Sequence, residues 1–320
     1  MLHISMALGD YDINRGLIDG RVMVQGCDTS VITGLASPER HWRFLRHEEF
    51  DVCELSIGSY LAALPENRFV AVPAFPHRRF RHHYYFVRAD GPIHTPKDLE
   101  GRNVGLRTWQ TSAGIWMRGI LQHEHGVDLT QVRWFTEHEE DITGVQPPVE
   151  LRRTPGNIER LLLEGGLDAL FYPETLPSFA AGDQRVGRLF PDAKAAEQEY
   201  FKKTGIFPIM HVLAIRRTIA EQNPWLPRQI LHAWRESKDL AMKRLENPRS
   251  VSMAWLTPLR EEERAVLGPD PWQVGLTEGN RKALQAIMTY AVEQGIVAEV
   301  PEVEDLFWPS TLDALPKYVG

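Results

Sequence analysis

Thr204-Gly205-Ile206-Phe207-Pro208-Ile209-Met210-His211 lies directly ahead of the strand-like run Val212-Leu213-Ala214-Ile215. Pro208 has no N–H to give to a sheet ladder, and Gly205 accepts backbone angles that other residues avoid. The stretch therefore reads as a shaped loop that presents His211 at the mouth of a strand. An imidazole held there is either a core residue satisfied by a backbone carbonyl or a group available for proton transfer.

Outward from this loop, strand-like and helix-like runs alternate. Upstream, residues 2–8, 27–32, 50–55, 69–75, 84–87, 103–106, 131–136, 149–153 and 167–172 read as strands. Helical patterning covers 14–18, a segment opening at Ser37-Pro38, and then 113–125, 157–164 and 195–203; downstream it covers 226–245 and 278–293. Such alternation predicts an α/β fold of mixed, mostly parallel sheets flanked by helices. The turn-rich run Gly91 to Gly101 reads as the start of a second domain. In the helix after Ser37, the charged residues His41, Arg43, Arg46, His47, Glu48 and Glu49 read as a solvated face, with Trp42, Phe44 and Leu45 packing inward.

The chain has 320 residues and a formal net charge of −7. That length supports two ordinary domains, and the acidic balance without a basic, aromatic-studded block argues against a nucleic-acid partner. Nowhere does an uncharged apolar run approach the roughly 18 residues of a membrane span, and the N-terminus lacks a signal-peptide pattern, so a cytoplasmic location is expected. Cys27 and Cys53 have no metal-binding spacing and read as reduced, buried thiols. The sequence leaves the oligomeric state open, a homo-oligomer included.

Chemistry-bearing residues gather at the expected carboxyl ends of strands, where open α/β sheets hold ligands. Tyr11 follows the first strand, and Glu54 and Ser56 end the third. Ser56 with Ser59 opens a helix whose N–H groups favour an anion, although plain capping explains them equally well. Between two apolar strands, Pro76-His77-Arg78-Arg79-Phe80-Arg81-His82-His83 packs three arginines and three histidines into seven positions. An acidic ligand neutralises such a cluster; so does solvent around a basic hairpin. If residues 80–87 are extended, Arg81 and His83 face one way and His82 the other. Arg107-Thr108-Trp109-Gln110-Thr111-Ser112 reads as a second anion cradle, with Trp109 placed to stack on a flat ligand and Arg118 too far along the helix to share the anion. Tyr172 ends another strand. No HExxH or comparable ligand spacing occurs, so no cofactor is expected, with a divalent metal as the alternative.

In order along nearly the whole chain, six segments carry a resemblance: Phe50-Asp51-Val52-Cys53-Glu54-Leu55-Ser56, Phe75-Pro76 with Arg78, Phe80-Arg81-His82, Trp116-Met117-Arg118-Gly119-Ile120-Leu121-Gln122, Thr204 to His211, and Trp272 with Gly275 and Asn280-Arg281. Together they resemble the 4,5-dihydroxyphthalate decarboxylases, a cytoplasmic enzyme branch of the type II periplasmic-binding-protein-like fold. The resemblance implies two α/β lobes with the ligand between them, residues 1–89 plus 211–320 forming one and 90–210 the other, with crossings near 88–92 and 204–212. It implies loss of carbon dioxide from a hydroxylated aromatic acid, 4,5-dihydroxyphthalate giving protocatechuate, with that small aromatic carboxylate as the expected partner.

That chemistry requires an acid near the ring, a group that polarises the phenolic oxygen and cations for the carboxylate that stays. His211 or His82 is the expected acid, and Glu54 or Tyr11 the polarising group. Arg81, with Arg78 or Arg107 in reserve, clamps the retained carboxylate, while Thr111 and Ser112 supply a second anion site. Ser56, Trp109, Tyr172 and Phe207 complete the expected lining. The competing class is a solute receptor or sensor that holds an aromatic or other small carboxylate without chemistry.

Overall fold

The computed structural model describes residues 1–313. Its strands in chain order are β1 (Leu2–Ala7), β2 (Cys27–Ile32), β3 (Val52–Ser56), β4 (Phe69–Val72), β5 (Tyr85–Arg88), β6 (Asn103–Leu106), β7 (Arg133–Thr136), β8 (Leu151–Arg153), β9 (Ala169–Phe171), β10 (Val186–Arg188) and β11 (His211–Arg216). The chain divides into two compact units: Met1–Arg78 with Ile209–Lys282 and residues 301–313, and Arg79–Pro208 with Ala283–Val300.

The first unit holds a sheet in the order β2-β1-β3-β11-β4. β1 runs parallel to β2 and β3, whereas β11 returns antiparallel between β3 and β4. Every residue of β3 is buried, as befits a strand with neighbours on both edges and cover on both faces. Val52, Val70, Val72, Leu213 and Ile215 pack with Ile230, Leu231 and Trp234 of the helix Leu226–Leu245. Burying each such side chain contributes about 1.5–3 kcal/mol, which makes this face the main anchor of the unit.

The second unit holds a sheet in the order β10-β5-β9-β6-β7-β8. β9, β6, β7 and β8 are parallel, and β5 is antiparallel to both β9 and β10. Ile158 and Leu162 of the helix Ile158–Glu164 cover this sheet through Phe86, Leu170 and Val186. Both sheets are mixed and flanked by helices, the architecture that the alternating pattern predicts.

Three local expectations change. Residues 79–89 group with the second unit because β5 pairs with β9 and β10, and residues 283–300 group there too, with Gln294 bonded to Trp109 and Arg118. The run 80–87 is not one strand: His82–Tyr84 forms a 3-10 turn in which Tyr84 N–H donates to Arg81 O, so the alternation drawn for Arg81, His82 and His83 does not apply. In the helix Ser37–His47 it is Arg40, His41, Phe44 and Leu45 that are buried, while Trp42 is 46% exposed. Cys27 and Cys53 are both buried free thiols. Among the described residues no helix is long and apolar enough to cross a membrane.

Candidate active site

Glu54 lies on β3 and is fully buried. A carboxylate in the middle of a sheet is costly unless its lone pairs are met. Gly9 N–H donates to Oε2 at 2.8 Å and Asn14 Nδ2 to the same oxygen at 3.3 Å. On the other oxygen, Oε1, His211 Nδ1 lies at 2.5 Å and Arg40 Nη2 at 3.4 Å. Sheet register explains the histidine. Leu213 is directly opposite Glu54 and His211 opposite Ser56, so His211 and Glu54 are diagonal neighbours on one face.

The supporting contacts come from distant parts of the chain. Trp234 Nε1 donates to Asn14 Oδ1 at 2.9 Å, which turns the amide nitrogen toward Glu54. Arg40 Nε donates to the Glu54 main-chain carbonyl at 3.2 Å and Nη1 to Leu35 O at 3.2 Å. Arg40 and Glu54 therefore neutralise one another in the core, and His211 is oriented through Nδ1 by a carboxylate that cannot itself turn away.

Three further rings face this pair. His41 meets His211 at 5.0 Å between centroids and 87°, and His77 meets it at 4.7 Å and 74°. Tyr11 lies 5.8 Å from the His77 ring. A Cβ on Gly9 would stand 2.5 Å from Tyr11 Cζ, so glycine is what lets the phenol fold back over the end of β1. Burial, reinforced by the Glu54 carboxylate, pushes the Tyr11 phenol up to about 12. It stays protonated at working pH and can donate to a ligand oxygen, but not serve as a base. The sequence pattern puts His41 on a solvated helix face and His77 in the basic cluster, and gives neither a role at His211. The spacing of Arg40, His41, Phe44 and Leu45 is the signal that would have found His41, since it marks one buried helical stripe.

Of the other expected residues in this unit, Ser56 accepts the Ser59 N–H at 3.4 Å and caps the helix Ile57–Ala63. Arg78 is buried, donating from Nη1 to Asn280 Oδ1 at 2.7 Å and Pro271 O at 3.2 Å, and burial lowers its guanidinium to about 9.

The second unit carries Arg81, His82, Arg107, Trp109, Thr111, Ser112, Tyr172 and Phe207. Arg81 is buried against the Tyr84 ring, 4.6 Å from its centroid, and donates from Nη1 to Pro173 O at 3.2 Å. Its Nη2 is buried with no hydrogen-bond partner among the described residues, and burial lowers the group to about 10. Thr111 caps the helix Ser112–His125 by accepting the Gly114 N–H at 3.4 Å. Ser112 is buried in that first turn. Tyr172 donates to Glu137 Oε2 at 3.2 Å, Arg107 O accepts from the His138 N–H at 3.0 Å, and Phe207 packs on Phe80 at 4.9 Å.

Two expectations fail here. Trp109 does not offer a stacking face: it is 1% exposed, its Nε1 donates to Gln294 O at 2.7 Å, and the Arg118 guanidinium covers its ring at 3.7 Å. Arg118, set aside as too far along the helix, folds back to that helix's start. Its Nη2 donates to Trp109 O at 2.6 Å, and its Nη1 is one of the nearest atoms to a Cβ built on Gly114.

His82 sits among Phe190, Tyr200 and Tyr85, and burial lowers it from 6.5 to about 4. The unfolded chain thus takes up this proton at higher pH than the folded one, so the contribution is complete above 6.5 and is lost as pH falls toward 4. The loss amounts to about 2 kcal/mol at pH 5. His82→Phe is expected to lose less thermal stability than the parent between pH 7.5 and pH 5; equal losses in calorimetric scans of the two would refute the assignment.

Among the described residues no group of three or more His, Cys, Asp or Glu side chains is arranged to hold a metal ion. No protein-family model matches the chain. Its solved structural neighbours include the periplasmic aliphatic sulphonate binding protein SsuA from Escherichia coli, at TM-score 0.57 and 15% identity over 97% of this chain and 98% of that one. The desulfurization enzyme DSZB matches at TM-score 0.52 and 14% identity over 98% of each. These likenesses show the fold. Among curated proteins, the 4,5-dihydroxyphthalate decarboxylase of Pseudomonas putida is 32% identical over 213 residues, 63% of this chain and 82% of that protein. The 4,5-dihydroxyphthalate decarboxylase of Comamonas testosteroni is 33% identical over 98% of both chains. With that identity along its whole length and the fold of the periplasmic binding proteins, the chain belongs to the 4,5-dihydroxyphthalate decarboxylase family of carboxy-lyases.

Proposed function

We propose that the chain converts 4,5-dihydroxyphthalate to protocatechuate and carbon dioxide, with His211 as the acid that protonates the ring. The observation that carries this reading is the Glu54–His211 pair, 2.5 Å between Nδ1 and Oε1, at the carboxyl end of β3. With Nδ1 committed to the carboxylate, proton transfer to a ligand goes through Nε2, the arrangement of an oriented acid–base histidine.

In the reaction, the ring hydroxyl para to the departing carboxylate pushes electron density to the carbon bearing it, and His211 delivers a proton there. The C–C bond then breaks, its electron pair restores the aromatic ring, carbon dioxide leaves, and solvent reprotonates His211. Tyr11, held as a neutral phenol, is proposed to orient the substrate by donating to a ring hydroxyl oxygen. The expectation that Glu54 polarises the substrate hydroxyls is replaced: both of its oxygens already accept from protein donors, so its role is to orient His211. No metal is assigned a step.

The test is incubation of the purified chain with 4,5-dihydroxyphthalate and a panel of hydroxylated aromatic acids, before and after chelation. Release of carbon dioxide with protocatechuate, unchanged by chelation, is expected. Saturable binding without product across the panel would make the protein a receptor instead, and activity lost on chelation and restored by a divalent ion would overturn the metal-free reading.

A further inference from the structure

The helix Ser37–His47 brings two side chains to Glu54, Arg40 and His41. His41 is 6% exposed. Its ring donates to the Glu54 backbone carbonyl, while its Nε2 is buried with no hydrogen-bond partner among the described residues. An imidazole that leaves one nitrogen unsatisfied in the core costs about 1–3 kcal/mol relative to an apolar ring of the same shape. Stability alone therefore gives no reason for a histidine at this position, and its one distinctive neighbour is the His211 ring.

We propose that His41 is a positioning residue for His211: its uncharged ring packs edge-to-face on His211, with His77 packed on the same ring, and favours the imidazolium form that donates the proton. The proposal rests on the reading of His211 as the acid. An aromatic ring attracts a cation that meets its face, so an edge-to-face pair gains when the charged imidazolium presents its edge to the uncharged ring. Only an uncharged His41 can act in this way, since a second positive charge 5.0 Å away would oppose protonation of His211.

The groups that face the pair from each packed element agree with this assignment. Glu54 on β3 supplies one negative charge and Arg40, on the same helix as His41, offsets it. Tyr11, after β1, is uncharged, and His77 approaches from the segment after β4. The carboxylate that orients His211 is thus shared with a guanidinium, and the His41 and His77 rings pack on the same imidazole. Burial, together with the positive charges of His211 and Arg40, keeps His41 well below the ordinary histidine range.

The experiment is a nitrogen-15 NMR titration of the full chain labelled at histidine, with the His211 signal identified by its loss in His211→Asn, alongside pH profiles of kcat. His41→Leu is expected to lower the His211 pKa by about half a unit or more. The alkaline limb of kcat should move down by the same amount with KM changed less than about threefold. His41→Phe, which restores a ring, is expected to return both to the parent values. His41→Gln keeps a donor for the Glu54 carbonyl and stands in if the leucine variant does not fold.

An unmoved His211 titration in the ring-less variants would overturn the proposal, as would failure of phenylalanine to restore it. Full turnover in His211→Asn would instead remove the catalytic reading. The titration would still decide whether the rings favour the imidazolium.

Discussion

His211→Asn and Glu54→Gln, made singly, are each expected to lower kcat by about 10²- to 10⁴-fold while KM changes less than about threefold. The first removes the proposed proton donor. The second keeps the shape of the side chain but removes the charge that fixes the imidazole, leaving His211 Nδ1 beside an amide that satisfies either tautomer. The two differ in stability. Arg40 is 1% exposed and its carboxylate partner is Glu54, so Glu54→Gln leaves a buried cation uncompensated and should cost about 3 kcal/mol, whereas His211→Asn should not.

Because the residues act as a unit, the double variant should be little slower than the worse single one. Steady-state kinetics with denaturant titration checks all three statements. A fully active His211→Asn enzyme would end the role of His211 as acid. A Glu54→Gln enzyme that keeps its kcat would end the orienting role of Glu54.

Gly295→Ala is expected to lower the melting temperature by about 5–10 °C, far more than Gly205→Ala. Both glycines have left-handed backbone angles, φ of 67° at Gly295 and 68° at Gly205, so each replacement carries about 1–2 kcal/mol of backbone strain. Their surroundings decide the difference. Nothing lies within 4 Å of a Cβ on Gly205, whereas a Cβ on Gly295 would stand 1.8 Å from Gln146 O and 2.6 Å from Gln146 C. Those are backbone atoms and cannot rotate aside. The Gln146 N–H also donates to Gly295 O at 2.8 Å, so the clash pulls on a paired segment.

Next to Gly295, Gln294 accepts from Trp109 Nε1 and Arg118 Nε, so displacement should also loosen the start of the helix Ser112–His125. Thermal scans of the two variants side by side test this, and equal losses would show that backbone angle alone matters at Gly295.

The local pattern of the chain was enough to place most elements. Residues 226–245 and 278–293 are helices with those same limits, and the mixed α/β class follows from the alternation of periods. Glu54 and His211 could both be named because each stands at a strand end in a distinctive segment. Their relation could not be, since 157 residues separate them and only the antiparallel register of β11 on β3 puts them on one face.

Burial misled where charge was read as exposure. His41 is buried because the helical stripe it shares with Phe44 faces inward, and Trp109 is sealed because Arg118 folds back over its ring. By itself, then, the sequence determined the fold class, the order of elements, the family likeness and a short list of reactive side chains. The tertiary structure alone decided which of them meet, that Glu54 is an orienting group whose oxygens are already taken, and that His41 stands beside His211. Periodicity reports which face of an element is apolar; which partner that face meets depends on pairing between distant segments.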